Sequence, residues 1–338
     1  MEGTSVSRRS ALQAAGTTVL AAGMVAGSAS AKGVPGGESA VASREVSFDR
    51  EGVRLAGLLF TPAGFEEGGR YPALIVQGSF TSVKEQMPQA YARKFAQQGF
   101  VALAFDYAHY GASGGQPRQF ESPAEKLADL KAAVTYLDEQ PFVQAVGMVG
   151  VCTSASNGVY LVAEDSRVKA FATIAGFLTD ADTYTRTYGE DGLARRRSEA
   201  AAAREKFEAT GQPTTLTVYS ETDETAVNYN PTPGAYDYYT NPARGNVATY
   251  RNEFDVSSWD TWTGLDALSR APQVTTPTMV VHSDGCASPE QAKRLHEAVR
   301  GEKELVWADG NHFDYYDSPA QMGNAVANVA RFFHTHLA

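Results

Sequence analysis

Cysteine is scarce: among 338 residues only Cys152 and Cys286 carry a thiol, which allows one disulfide at most. No spacing suited to a metal ligand set occurs, and neither a phosphate-cradling loop nor a dinucleotide fingerprint is present, so no cofactor and no metal are expected. Long apolar runs are missing from the interior of the chain, and no internal segment is expected to insert stably in a membrane. Positive charge is also short, with 29 Lys and Arg against 39 Asp and Glu, a net charge of −10. So acidic a surface argues against nucleic acid and anionic membranes as partners. What remains, 43% hydrophobic and 20% charged residues, is ordinary globular composition. The length suits one large α/β domain with an inserted cap.

The N-terminus departs from that composition. Ser7-Arg8-Arg9-Ser-Ala-Leu12 opens a twin-arginine pattern, an Ala/Gly/Val-rich stretch runs from about Ala14 to Gly27, and Ala29-Ser-Ala31 is an A-x-A cleavage site. Residues 1–31 are therefore expected to be a signal peptide and 32–43 a disordered lead-in. The twin-arginine export machinery would be the partner, and the destination the periplasm, the cell envelope or the outside. A cytoplasmic protein with an Ala/Gly-rich start is the alternative. Removing 1–31 takes away Arg8, Arg9 and Glu2, a charge of +1, so the net charge moves from −10 to −11. In an oxidising compartment Cys152 and Cys286 can pair. Against that, each directly follows an apolar run that reads as a central strand.

Arg44–Arg50 and Val53–Thr61 read as an opening pair of strands joined at Asp49-Arg-Glu-Gly52. Pro72–Val76, Phe100–Phe105, Val146–Val151 and Val168–Ala175 are continuous apolar runs, as buried parallel strands are. Between them, 86–98 and 124–140 carry apolar residues at helical spacing. Alternation stops after Gly176, and 178–271 is polar and rich in tyrosine. It resumes with a strand at Thr278–Val281, a helix over 289–299, a strand at Glu304–Trp307 and a closing helix over 319–337. The expected architecture is a doubly wound, mostly parallel sheet. Its core is 44–177 and 272–338, with a helical and loop cap, 178–271, inserted after the sixth strand. Ligands in such sheets bind beyond the carboxyl ends of the strands.

Gly150-Val-Cys152-Thr-Ser154 lies at one of those ends. A strand running into a sharp turn and a small-residue helix is the outline of the nucleophile elbow, G-x-S-x-G, of an α/β-hydrolase. Here a cysteine takes the nucleophile's place, at a helix N-terminus that favours thiolate. Ser154 and Ser156 offer rival registers that move the nucleophile onto the helix, and a buried, inert cysteine is the bland alternative. His312, after the last strand, is the candidate base. Asp284, after the Thr278–Val281 strand, is the candidate acid, with Asp180 in reserve. One oxyanion donor is expected from the Thr153 N–H and the second from Ser79 or Phe80. Lys84-Glu85 beside that loop either touches substrate or, the preferred reading, is a solvated helix start, and Asp106 with Gly111 reads as a structural turn. Tyr184, Tyr188, Tyr238, Tyr239, Trp259 and Trp262 either line an acyl pocket or form the cap's own core.

The chain resembles the dienelactone-hydrolase-like branch of the α/β-hydrolases, and more closely a bacterial and fungal group that includes fungal polyketide transferases. The shared residues are Val83-Lys-Glu-Gln86, Phe105-Asp-Tyr107 with Gly111-Ala-Ser-Gly-Gly115, Gly150-Val-Cys-Thr-Ser154, Tyr238-Tyr239 with Arg244-Gly245, Val281-His-Ser-Asp284 and Phe313-Asp-Tyr-Tyr-Asp317. The likeness runs from Ser47 to the C-terminus. It implies Cys152 as nucleophile, His312 as base and Asp284 as acid, acting on a small-molecule acyl substrate without a cofactor. The expected function is cleavage of an ester or thioester through an acyl-enzyme on Cys152. Acyl transfer or cyclisation in polyketide biosynthesis with the same triad is a second reading. A non-catalytic secreted binding protein on the same scaffold is a third.

Overall fold

The computed structural model describes residues 40–338. The expected signal peptide, 1–31, and most of the expected lead-in, 32–43, lie outside the described residues. The last two residues of that lead-in are already strand. β1, Ala42–Arg50, pairs residue by residue with β2, Val53–Thr61. Their two-residue turn places Glu51 at φ 52° and Gly52 at φ 87°, the left-handed pair a tight hairpin needs, and the Gly52 N–H donates to the Asp49 carboxylate at 2.9 Å.

The apolar runs form the centre of one eight-stranded sheet. β3 is Tyr71–Gln77, β4 Val101–Phe105, β5 Val143–Val151, β6 Val168–Ile174, β7 Thr278–His282 and β8 Lys303–Trp307. The order is β1-β2-β4-β3-β5-β6-β7-β8; β2 pairs antiparallel with both β1 and β4, and every other pairing is parallel. Helices cover both faces, which is why β4 is buried along its whole length. α1, Met87–Ala96, packs with the C-terminal helix, Pro319–His336, on one face. α2, Pro123–Asp138, packs with α3, Thr153–Glu164, on the other. Pro123 fits the first turn of α2, and the Ser122 hydroxyl caps it by accepting from the Glu125 N–H. Gly158 lets α3 close on the sheet, because a Cβ there would run into the Phe171 ring of β6.

Between β6 and β7 the chain leaves the sheet. α4, Thr183–Thr210, is bent at Gly189, which sits at φ 67°. Two small two-stranded sheets follow, 215–217 with 253–255 and 219–220 with 228–229. The aromatic residues of this segment join the same hydrophobic cluster as the sheet. α5, Pro289–Ala298, then leads from β7 to β8. Among the described residues no helix is long and apolar enough to cross a membrane.

Candidate active site

The turn between β5 and α3 holds Cys152 at φ 53° and ψ −121°, a conformation that side chains rarely adopt. Two bonds hold it there. The Cys152 N–H donates to the Ile174 carbonyl of β6 at 3.1 Å, and the Cys152 carbonyl accepts from the Phe177 N–H at 2.9 Å. Gly150 is obligatory for the turn, since a Cβ there would collide with the Ser154 carbonyl one turn on. The two rival serines are committed elsewhere on α3. The Ser154 hydroxyl shares a 3.2 Å bond with the Tyr107 hydroxyl, and that of Ser156 donates to the Phe177 carbonyl at 2.8 Å. Both are buried.

The backbone N–H groups of Thr153 and Phe80 lie near enough to the Cys152 sulfur to lower its pKa. Of the two expected sources of the second donor, Phe80 is the one whose N–H does so, and Ser79 braces the loop. The Ser79 hydroxyl accepts from Tyr239 at 2.6 Å, and its carbonyl accepts from the Ser82 hydroxyl at 2.9 Å. Asp106 anchors the far side of this loop. It accepts from the Lys84 N–H at 2.7 Å and pairs with the Lys84 ammonium at 2.7 Å. Lys84 is buried, which corrects the reading of Lys84-Glu85 as a solvated helix start. Gly111 leaves the room that the Asp106 carboxylate occupies.

Burial pushes the Cys152 thiol above its ordinary pKa, and the Tyr316 hydroxyl, the Thr153 hydroxyl and the two N–H groups pull it back only in part. The resting sulfur is a neutral thiol, so desolvation outweighs the helix terminus that was expected to favour thiolate. Cys286 is also a free, buried thiol, so the two cysteines are not paired.

His312 enters from the loop after β8. A bridge between Gly285 and Asn311, and a 3.1 Å bond from the His312 N–H to the Gly285 carbonyl, fasten this loop to the one after β7. The Ala287 N–H consequently donates to His312 Nδ1 at 3.2 Å, and Nε2 lies 3.0 Å from the Tyr316 hydroxyl. Asp284 is exposed, and no hydrogen bond or ion pair joins it to His312. The expectation that Asp284 orients the base is corrected accordingly. The tight turn from Ser283 to Cys286 carries Asp284 outward and presents a backbone amide to the ring instead. Asp180 is engaged elsewhere as well. It accepts from Arg186 at 2.7 Å and Arg294 at 2.5 Å, tying α4 to α5, and despite some burial these bonds hold its carboxyl down at about 2.

Two residues near the site were given no role from the sequence. Tyr316 is buried, with its hydroxyl 3.0 Å from His312 Nε2 and near enough to Cys152 to lower the thiol's pKa. Its signal was its spacing, four residues after His312, which puts both on one side of a helical turn. The imidazole of His282, at the end of β7, is fully buried beside Trp307 and close to His312.

Cys152, Phe80, Thr153, His312 and Tyr316 open into one cavity of about 460 Å³. Trp262 stacks on Phe80 with ring centroids 4.5 Å apart, and Tyr219 on Tyr239 at 3.9 Å, so its walls are aromatic. Tyr184, Tyr188, Tyr239 and Trp262 line it. Trp259, on Phe254, and Tyr238, on Tyr316, do not line the cavity but back the residues around it, so the cap's aromatic residues divide between pocket and core. No cluster of His, Cys, Asp or Glu among the described residues could hold a metal ion.

A parallel sheet in this order, with its fifth strand ending in a nucleophile elbow, is the α/β-hydrolase fold. Solved structures agree. That of the Pseudomonas aeruginosa protein PA2218 matches with a TM-score of 0.76 at 27% identity, over 88% of this chain and 94% of that one. The α/β-hydrolase GrgF from Penicillium sp. sh18 matches with a TM-score of 0.71 at 22% identity, over 88% and 99%. Within that fold the chain belongs to the X-Pro dipeptidyl-peptidase (S15) family, whose model matches residues 51–314. In sequence it is 31% identical to PA2218, over 88% of this chain and 81% of the relative. It is 28% identical to thiohydrolase aneE of Aspergillus aculeatus, over 85% and 91%. It is 25% identical to acyltransferase drtE of Aspergillus calidoustus, over 71% and 79%.

Proposed function

We propose that this protein is a cysteine-dependent acyl hydrolase that cleaves an ester or thioester. The observation that carries the reading is Cys152 held at φ 53° on an elbow that opens, together with Phe80, Thr153 and His312, into the aromatic cavity. The Phe80 and Thr153 N–H groups beside the sulfur are the donors that would take the charge developing on an acyl oxygen during attack. The Cys152 sulfur bonds to the acyl carbon as its proton leaves for His312. The tetrahedral oxyanion collapses, and the departing alkoxide or thiolate takes that proton from His312. Water, activated by the same imidazole, then releases the acid and restores the thiol.

With Ala287 donating to Nδ1, the neutral His312 ring carries its proton on Nε2. Accepting the thiol proton at Nε2 takes the ring through its other tautomer, with the 3.2 Å Ala287 bond given up.

A second reading, transfer of the acyl group to an alcohol or amine, or its cyclisation, uses the same residues. The aromatic walls favour it by keeping water scarce, and acyltransferase drtE and polyketide transferase claH are among the relatives. Export of the mature chain by the twin-arginine route is part of the proposal and rests on Ser7-Arg8-Arg9 and Ala29-Ser-Ala31.

Intact-mass spectrometry after incubation with acyl esters, acyl thioesters and a Xaa-Pro anilide tests the reading. Wild type is expected to gain an acyl adduct from an ester or thioester, and Cys152→Ala to gain none. An adduct that survives in Cys152→Ala would move the nucleophile to another residue. Turnover of the anilide alone would replace acyl-ester chemistry with peptidase chemistry. Ligand binding by Cys152→Ala, with no adduct on any chain, would favour a binding protein.

A further inference from the structure

We propose that Tyr316 is a catalytic residue whose hydroxyl donates to the Cys152 sulfur and stabilises its thiolate, held in that direction by His312. The direction follows from the hydrogen bonds in order. The Ala287 N–H occupies His312 Nδ1 at 3.2 Å, so the neutral ring carries its proton on Nε2. Nε2–H then donates to the Tyr316 oxygen across 3.0 Å. The phenol keeps its own proton, since burial raises its pKa well above the ordinary value. With its oxygen already accepting, that proton is directed to the remaining partner, the sulfur of Cys152.

The surroundings fix the ring and leave little else for the hydroxyl to do. Tyr316 is 1% exposed and lies edge-on to Tyr238, Tyr239 and Phe313, with centroids 4.9, 6.2 and 5.4 Å away. The titratable groups facing its hydroxyl are Cys152, His312 and the phenols of Tyr219 and Tyr239. All three phenols are held neutral by burial. Tyr316 and the two backbone N–H groups therefore meet at one sulfur. A thiolate formed there as the thiol proton leaves for His312 is stabilised by the phenol as well as by the amides.

The assignment rests on Cys152 as the nucleophile, and its test is separate from the acyl-adduct test. The full chain is alkylated with iodoacetamide across a pH series, and the adduct is followed by intact mass. Cys152→Ala distinguishes labelling of Cys152 from that of Cys286. Tyr316→Phe keeps the ring and removes the donor. It is expected to move the midpoint of Cys152 alkylation up by about one pH unit, since a hydrogen bond to a charged group is worth roughly 1.5 kcal/mol or more. Below the midpoint, alkylation of the variant would then be about tenfold slower than that of wild type.

Tyr238→Phe removes a hydroxyl from the same aromatic cluster without touching the sulfur, and its midpoint is expected to stay in place. An unmoved or lowered midpoint in Tyr316→Phe overturns the proposal, as does an equal shift in Tyr238→Phe. Acyl adducts on Cys152 with no shift in Tyr316→Phe would sink this assignment alone. A shift with no acyl adduct would leave it standing while the hydrolase reading falls.

Discussion

The backbone N–H of Ala287 donates to Nδ1 of His312 at 3.2 Å, the contact that an orienting carboxylate makes in a Ser-His-Asp triad. An amide can hold the ring's position, but it cannot stabilise an imidazolium, because both partners would then present an N–H. With Nδ1 accepting from the amide, a neutral ring carries its proton on Nε2. Burial holds the Cys152 thiol, which lines the same cavity, above its ordinary pKa.

Asp284→Asn tests that arrangement directly. In a triad whose acid holds Nδ1, the matching change costs about 10⁴ in kcat. Because the Asp284 side chain is exposed and does not reach His312, kcat/KM for the best ester or thioester is expected to fall less than about tenfold. A loss of a thousandfold or more would show that the loop after β7 turns Asp284 onto the ring during turnover.

The Gly285–Asn311 bridge sets where His312 stands, and it depends on a glycine. A Cβ at Gly285 would lie 2.5 Å from the Gly310 carbonyl oxygen and 3.1 Å from the Asn311 Cα. Gly285→Ala must therefore part the two loops and displace the imbedded imidazole, while the elbow on β5 and α3 is untouched. A misplacement of about 1 Å is enough to cost on the order of 100-fold in rate. Turnover is expected to fall by that order, with Cys152 still alkylated by iodoacetamide. Retention of full activity would show that the bridge does not position the base.

The difference between what could and could not be read beforehand has a physical pattern. β3 to β6 were legible because strands buried on both faces are uninterrupted apolar runs. The elbow was legible because its strain admits only small neighbours, so Gly150 and Ser154 bracket Cys152. His312 was singled out by its place after the last strand, and it lines the cavity with Cys152. Asp284 was misplaced because its direction is decided by a pairing between residues 285 and 311, which no local pattern records. Lys84 looked solvated because its partner, Asp106, lies 22 residues away at another strand end. Tyr316 was within reach of its four-residue spacing from His312, but the helix that makes the spacing meaningful, Asp314–Asp317, is a single turn.

His282 leads to a prediction about stability rather than rate. Its ring is fully buried, and neither nitrogen finds a hydrogen-bond partner of normal geometry among the described residues. Burial first, and the neighbouring His312 second, push its pKa down to about 4 from the ordinary 6.5. A base whose pKa is lowered by folding is neutral in the native state and protonated in the unfolded one throughout that window. The unfolded chain then binds the extra proton, so stability falls as the pH drops from about 6.5 towards 4. Across the window this one residue accounts for roughly 3 kcal/mol. His282→Leu cannot take up that proton, and its unfolding free energy is expected to decline less steeply between pH 7 and pH 4. Urea unfolding of both chains at pH 7, 5.5 and 4 measures the difference. Parallel declines would mean that His282 already carries a charge or a partner in the folded protein, and that the ring is not the neutral, buried neighbour of the base described above.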